Sequence, residues 1–419
     1  MLIKMEVESS YTGKLQVNVV TRENVPVRDA TVTIAASDSP NNIIERLTTN
    51  SSGQTETIEL PAPPIELSLN EANTTRPYTT YNIRIEALGY ETEFIENAEI
   101  LPDVLAIQNV RLTSKNASLT EDIMIPDHTL YGEYPPKVPE EEIKPVNEPG
   151  EIVLSRVVVP EIIVVHDGIP SDSSAQNYYV NYRDYIKNVA SSEIYATWPT
   201  ATIEANVLAI MSFTLNRVYT EWYRNKGYDF TITSSTAYDQ KWIYGRNIFE
   251  SISLVVDNIF DQYLSRPDVR QPILTQYCDG KRVTCPNWLS QWGSCNLGER
   301  GYSTIEIIRY YYGDDMYINT AEQIAGIPIS WPGYDLDIGA SGQKVAQIQE
   351  QLDTIAQVYT EIPRLNADGI YGEVTREAVK AFQKIFDLPQ TGIVDFATWY
   401  KISQIYVGIT RIAEGIPRG

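Results

Sequence analysis

Residues 185–218 read YIKNVASSEIYATWPTATIEANVLAIMSFTLNRV, and one residue there breaks a pattern. Tyr182, Ile186 and Val189 recur at helical spacing, and a further step of four lands on Glu193, so a carboxyl group continues an apolar stripe. Two readings follow. If the helix stops at Ser191 and Ser192, Glu193 simply reaches water. If instead it is held beside Ile194, Tyr195 and Trp198, those apolar and aromatic neighbours oppose ionisation, and a carboxyl that stays protonated near neutral pH is a general acid.

Other chemistry is thinly supplied. Cys278, Cys285 and Cys295 are the only cysteines, all within YCDGKRVTCPNWLSQWGSC, and three are too few for a disulfide scaffold. The first two fit free thiols, a loop-closing disulfide or half of a zinc site, while the only histidines, His128 and His166, lie far off in sequence. No metal site and no cofactor are expected, and a mechanism built on a histidine base finds little material.

The elements that must position Glu193 belong to a chain of 419 residues, long enough for roughly two to four domains. A formal charge of -22 repels nucleic acid and anionic membranes, so neither is an expected partner. The sequence lacks an apolar run of some 18 residues that could span a bilayer. MLIKMEVESSYTGK lacks the apolar core and cleavage site of a secretory signal, which gives the expectation of synthesis in a cytoplasm and delivery to any external target by another route.

From Leu15 to Leu112, short alternating runs (LQVNVV, ATVTIA, ETIEL, YNIRIEALGY, NVRLTS) alternate with turn-rich stretches such as SDSPNN, which predicts an antiparallel β-sandwich over residues 1–115. Prolines at 135, 136, 139, 145 and 149 and a run of three glutamates mark an exposed linker within 116–156. Residues 157–330 read as α+β: VVVPEIIVVHDG as strand, the two helical segments around Glu193, IFESISLVVDNIFDQYL as helix, PILTQYC as strand and YSTIEIIRYYYGD as a short helix. In the second helix Pro199 suits the first turn, and Ile203, Val207, Ile210, Met211, Leu215 and Val218 form one apolar face. Residues 331–419 hold a small helical module, with Val345, Ile348, Leu352 and Ile355 on one apolar face and Ala378, Phe382, Ile385 and Phe386 on another.

Three stretches carry resemblances. Gly342, Val345, Gln349, Leu352, Asp368-Gly369, Gly372, Thr375, Ala378-Val379, Phe382-Gln383, Leu388-Pro389, Thr391-Gly392 and Thr398-Trp399 together resemble the peptidoglycan-binding type 1 domain, which implies tethering to cell-wall glycan or stem peptide. DYIKNVASSEIYATWP, LSQWGS and LGERGYSTIEIIRYYYGDD resemble the stage II sporulation protein D family of peptidoglycan lytic transglycosylases, in which the glutamate of the Ser-Glu motif is catalytic and matches Glu193. One departure is visible: CPNWLSQWGS stands where that family has a glycine-histidine-glycine stretch. The order of the parts, with DHTLYGEYPPK, VVPEIIVVHDG and YCDGKRVTCP, is similar to the clostridial spore cortex-lytic enzymes of the SleC type.

These resemblances imply a germination-specific enzyme of the bacterial endospore, at the cortex or the coat-cortex boundary. It would be stored as a zymogen, with cortex peptidoglycan as substrate and a subtilisin-like germination protease as activating partner. The implied reaction cuts the MurNAc-β-1,4-GlcNAc bond and leaves 1,6-anhydro-muramic ends, with Glu193 as acid and then base. Tyr195, Asp239, Gln240, Tyr244, Ser290 and Gln291 are candidates for holding the sugar. The activation cut is expected between Gly150 and Val159, near Leu154, Ser155, Arg156 and Val157, because a proline-rich acidic stretch yields easily to a protease. An N-acetylmuramoyl-alanine amidase and a non-catalytic cortex-binding protein remain alternatives. The expected architecture is therefore an N-terminal β-sandwich prodomain, a central α+β transglycosylase domain and a C-terminal helical peptidoglycan-binding domain.

Overall fold

The computed structural model describes residues 11–115, 122–139, 154, 156–269, 271–325 and 331–410. The alternating runs form strands β1 (Thr12–Thr21), β2 (Thr31–Ala36), β3 (Ile43–Thr48), β4 (Ile58–Pro61), β5 (Thr79–Glu86), β6 (Glu93–Ile100) and β7 (Leu105–Leu112), with a one-turn helix α1 (Glu66–Leu69) between β4 and β5. Leu15, Val17 and Val19 on β1 are fully buried, as period-two patterning requires of a strand with one face in a core. The strands divide between two sheets, and the pairing is not purely antiparallel: β1 runs parallel to β7, from Lys14 opposite Leu105 to Thr21 opposite Leu112. Parallel neighbours demand a long crossover, and here strands β2 to β6 intervene between the two.

Residues 122–139 depart from the exposed linker expected there. Strand β8 (Ile123–Met124) adds parallel to β6, His128 is fully buried, and Thr129, Leu130 and Tyr134 are buried as well. Apolar and aromatic residues within this proline-marked stretch give it something to bury, which composition alone concealed. The glutamate run at 140–142 and the remaining prolines lie outside the described residues.

In the middle region, β9 (Val158–Val159) precedes β10 (Ile162–His166), which pairs antiparallel with β11 (Asn177–Asn181) and parallel with β12 (Ile232–Thr233). Helix α2 (Tyr182–Glu193) then leads through a short turn to α3 (Thr200–Tyr219), for which Pro199 is the N-cap. Residues on every side of α3 are buried between Thr202 and Arg217, so this helix is the axis of the region, not an amphipathic surface helix. The run IFESISLVVDNIFDQYL divides into β13 (Ile248–Phe249), α4 (Glu250–Ile259) and β14 (Gln262–Ser265), so its helical reading covers only the middle of it. Beyond lie β15 (Tyr277–Cys278), β16 (Leu289–Ser290), α5 (Gln291–Glu299), α6 (Thr304–Tyr312), β17 (Tyr317–Thr320) and β18 (Gln323–Ile324).

The N-terminal and middle regions share structure. Strand β13 extends the first sheet by pairing with β7, and a buried ion pair joins Arg246 to Glu99 at 2.8 Å. Such a pair is costly to break from one side, so it fixes the register of the two regions.

Helices α7 (Gln343–Ala356), α8 (Glu373–Ile385) and α9 (Phe396–Thr410) make the C-terminal module. Two buried glutamines organise it by the same device. Gln349 Oε1 accepts the Gly369 N–H at 2.8 Å while its Nε2 donates to Ile370 O and Thr375 Oγ1; Gln383 Oε1 accepts the Gly392 N–H at 2.8 Å while its Nε2 donates to Ile393 O and Thr398 Oγ1. Both glycines have positive φ, 73° and 70°, which suits a tight turn that a side-chain amide can close. The module packs on α4, where the Phe260 ring meets those of Phe396 and Tyr400.

Candidate active site

Helix α2 does end at Glu193, as the local pattern allows, but the side chain does not reach water: it is 0% exposed. Oε1 accepts the Lys241 backbone N–H at 2.7 Å, and Oε2 accepts the Tyr277 hydroxyl at 2.5 Å. Burial pushes the Glu193 carboxyl above the usual range, while Lys137, the Tyr277 hydroxyl and the Lys241 N–H oppose that shift. Its place at a helix C-terminus, where the dipole disfavours negative charge, acts in the same direction as burial. Burial together with the charge of Glu193 keeps Tyr277 well above the usual phenol range, so it stays a donor. A fully buried carboxyl with two aimed donors is equipped to hold a proton and to accept its return.

The segment 122–139 covers this site. Thr129 donates to Ser192 O through both its N–H, at 3.3 Å, and its hydroxyl, at 2.6 Å, and Val138 N–H donates to Ala237 O at 2.7 Å. Arg282, paired with Asp279 at 2.8 Å, also donates to Thr129 O and Gly132 O. His128 receives the Leu130 N–H on Nδ1 and approaches Ile194 O with Nε2, a set of partners that suits the neutral imidazole; burial holds its pKa well below the ordinary value. Lys137 Nζ donates to Asp239 O at 2.7 Å and lies 5.4 Å from the Tyr277 ring centre and 6.0 Å from that of Phe213.

The expected sugar-holding residues are dispersed. Asp239 is a buried counter-ion: Arg217 holds Oδ1 at 2.8 Å, and Tyr223 and Thr233 hold Oδ2, which leaves the side chain no capacity for a ligand. Gln240 is likewise engaged in the interior, accepting from Tyr185 and Thr214 and donating to Ile210 O. Tyr195 is packed among His128, Trp198 and Trp292 and is 1% exposed. Tyr244 lies exposed, stacked on Tyr178. Ser290 caps α5 by accepting the Gly293 N–H at 3.0 Å, and a Cβ at Gly280 would fall 1.9 Å from its Oγ. An open cavity of about 380 Å³ lies against Ser290, with Asn287, Trp288, Tyr310 and Tyr311 among its lining residues, and Glu193 is not on its wall.

Gln291 differs from the others. It is 0% exposed, and neither atom of its amide has a hydrogen-bond partner among the described residues. An unpaired buried amide costs about 1–3 kcal/mol per group, which makes it a candidate for meeting a ligand.

Tyr277, the Lys241 N–H and Lys137 were not legible as site groups. Cys278 and Cys285 are joined in a disulfide next to Tyr277, and Cys295 is free and buried. Among the described residues, no group of three or more His, Cys, Asp or Glu side chains is placed to hold a metal ion, and no helix is long and apolar enough to cross a membrane.

Residues 341–402 match the family described as "Putative peptidoglycan binding domain", the stretch built around Gln349 and Gln383. The protein is thus a multidomain α+β chain whose C-terminal helical region carries a peptidoglycan-binding domain. No curated protein matches the sequence. Among solved structures, the chain is similar to the SleB N-terminal domain at 26% identity over 18% of this chain and 99% of that one, with a TM-score of 0.17. It is also similar to the Bacillus anthracis TIE protein at 14% identity over 25% of this chain and 17% of that one, with a TM-score of 0.18. For 3-chlorocatechol 1,2-dioxygenase from Rhodococcus opacus 1CP the identity is 14%, over 26% of this chain and 61% of that one, with a TM-score of 0.17. At such scores none of these likenesses carries an argument about this protein.

Proposed function

We propose that the protein is a spore cortex-lytic enzyme, a peptidoglycan lytic transglycosylase stored as a zymogen and activated by a subtilisin-like germination protease. The observation that carries this reading is the fully buried, doubly hydrogen-bonded Glu193 in a chain that also holds a peptidoglycan-binding domain.

In this mechanism the protonated Glu193 gives its proton to the glycosidic oxygen as the bond to muramic acid C1 breaks. The carboxylate then takes the proton of the muramic acid 6-hydroxyl as that oxygen attacks C1, which closes the 1,6-anhydro ring without consuming water. One carboxyl does both jobs, unlike the paired carboxylates of hydrolytic glycosidases. Tyr277 and the Lys241 N–H hold the carboxylate between the two steps, and positioned proton transfer of this kind contributes roughly 10²–10⁴-fold in rate. Gln291 is the expected sugar contact best supplied with free hydrogen-bonding capacity. The C-terminal domain raises the local concentration of substrate.

The test is Glu193→Gln, which keeps shape but removes the transferable proton. Glycan cleavage should fall at least a hundredfold while wall binding and melting temperature are kept, and mass spectrometry of wild-type digests should find anhydro ends. Reducing ends or freed stem peptides in place of anhydro ends would name a different reaction. The complete enclosure of Glu193 favours one second reading, a wall-binding protein without catalysis, and absence of any product from the protease-trimmed chain would establish it.

A further inference from the structure

We infer that the space filled by the Lys137 side chain is the subsite in which the sugar's positive charge develops, with the faces of Tyr277 and Phe213 as its walls, and that residues 128–138 hold the site closed by occupying it. The inference rests on the proposed glycan-cleaving role of Glu193.

The geometry is that of a cation site. Lys137 Nζ lies 5.4 Å from the centre of the Tyr277 ring and 6.0 Å from that of Phe213, within the range over which an aromatic face attracts a cation. The hydroxyl of that same Tyr277 ring is bonded to Glu193 at 2.5 Å, so one residue contacts both the internal cation and the acid. Behind the ammonium, the Asp239 carbonyl takes one of its protons at 2.7 Å. Among the ionised groups that act on Glu193, Lys137 acts more strongly than Lys241. Two aromatic faces and a carboxyl around one position would also favour the oxocarbenium-like charge at C1 of a sugar whose bond is breaking, and a lysine fixed there takes that position first.

The occupant is a stretch of chain separate from the elements that carry Glu193 and Tyr277. Thr129 bonds Ser192 O, directly before Glu193; Arg282 bonds Thr129 O and Gly132 O; Val138 bonds Ala237 O. Most of these partners on the covered side are backbone carbonyls or a guanidinium, groups that can serve the hydroxyls and acetamido oxygens of a glycan once the segment leaves. Tyr134 is buried in the same cover, with the Arg282 guanidinium 5.7 Å from its ring centre.

The experiment uses the full, uncut chain and a soluble tetrasaccharide of alternating N-acetylglucosamine and N-acetylmuramic acid. Calorimetry gives its affinity, and product analysis its turnover, for the wild type and for K137E, K137A and K137R. K137E reverses the charge that Glu193 meets and should bind at least tenfold more tightly than the wild type. K137A leaves the backbone ties in place and should gain severalfold, and it covers the case in which K137E is destabilised. K137R keeps the cation and should stay closed. Tighter binding with cleavage supports both this subsite and the transglycosylase reading. Tighter binding without cleavage supports the subsite and sinks that reading. Variants that melt like the wild type and bind no better, or a K137R that opens as far as K137A, overturn the inference.

Discussion

Tyr277 and Glu193 stand 84 residues apart in the chain and meet through a 2.5 Å hydrogen bond, with the phenol as donor and carboxylate Oε2 as acceptor. The acid ends α2, whereas the phenol opens β15, whose pairing with β16 places Tyr277 opposite Leu289. A disulfide from the next residue, Cys278, to Cys285 closes the loop beside it. The proposed acid, Glu193, is therefore held by an element whose own position is fixed by a strand pair and a covalent link.

Tyr277→Phe tests that tuning. The hydroxyl favours the ionised form of Glu193, so its loss should raise the carboxyl further and move the alkaline limb of the activity profile to higher pH. Activity at the optimum should fall roughly tenfold or more, because the returning carboxylate loses its aimed donor. An unshifted limb in a well-folded variant would show that the phenol does not tune the acid.

What the sequence disclosed and what it hid divide along a physical line. Period-two runs located β1, β2, β4, β5 and β7, since each buries alternate residues. Strand β3 escaped because it is an exposed edge on which only Leu47 is buried, and β6 because Asn97, with φ of 64°, breaks its alternation. Glu193 was legible because a carboxyl on an apolar stripe is a local anomaly. Lys137, Tyr277 and the Lys241 N–H are ordinary residues in their own surroundings and acquire a role only through tertiary contact. Asp239 and Gln240 show the converse: they were candidates by type alone, and a buried structural network uses the same residue types as a binding site. Residues 122–139 hid their packing because prolines mark the stretch as a linker while its residues touch the protein at Ser192, Ile194 and Arg282, far away in sequence.

The seat of the C-terminal module has its own pH signature. Asp387, beside Asn18 of β1, is pushed up to about 6, chiefly by burial. A carboxyl raised above its unfolded value of 3.8 contributes stability that is fully present below about 4 and lost as pH rises through about 6. With a discount for its partial exposure, that amounts to about 1–2 kcal/mol. Asp387→Asn, which also tolerates the φ of 54° at this position, should flatten the fall of melting temperature over this window. Asp261, raised to about 6 by burial, has the same sign and should leave a residual slope. An unchanged profile in the variant would mean that Asp387 does not set it.

Activation by proteolysis is the remaining expectation, and the structure narrows where the cut can fall. Half of the window from Gly150 to Val159, including Ser155, lies outside the described residues. At its far end, Val157 is 2% exposed and its carbonyl accepts the Glu322 N–H at 3.1 Å, while Val158 and Val159 pair with Gln323 and Ile324. Drawing these residues into a protease groove would strip a strand from the Glu193 region, which costs folded structure. Arg156 is exposed, and Leu154 is tied only by its N–H to Tyr219 O at 3.0 Å among the backbone bonds described. Limited subtilisin digestion followed by mass spectrometry should therefore find new N-termini no later than Val157. The uncut chain should be nearly inactive on cortex because residues 128–138 cover Glu193, and the trimmed chain should gain activity as that segment departs with the N-terminal part. If trimmed and uncut chains digest cortex at the same rate, the cover is not inhibitory, and the N-terminal region serves folding or targeting instead.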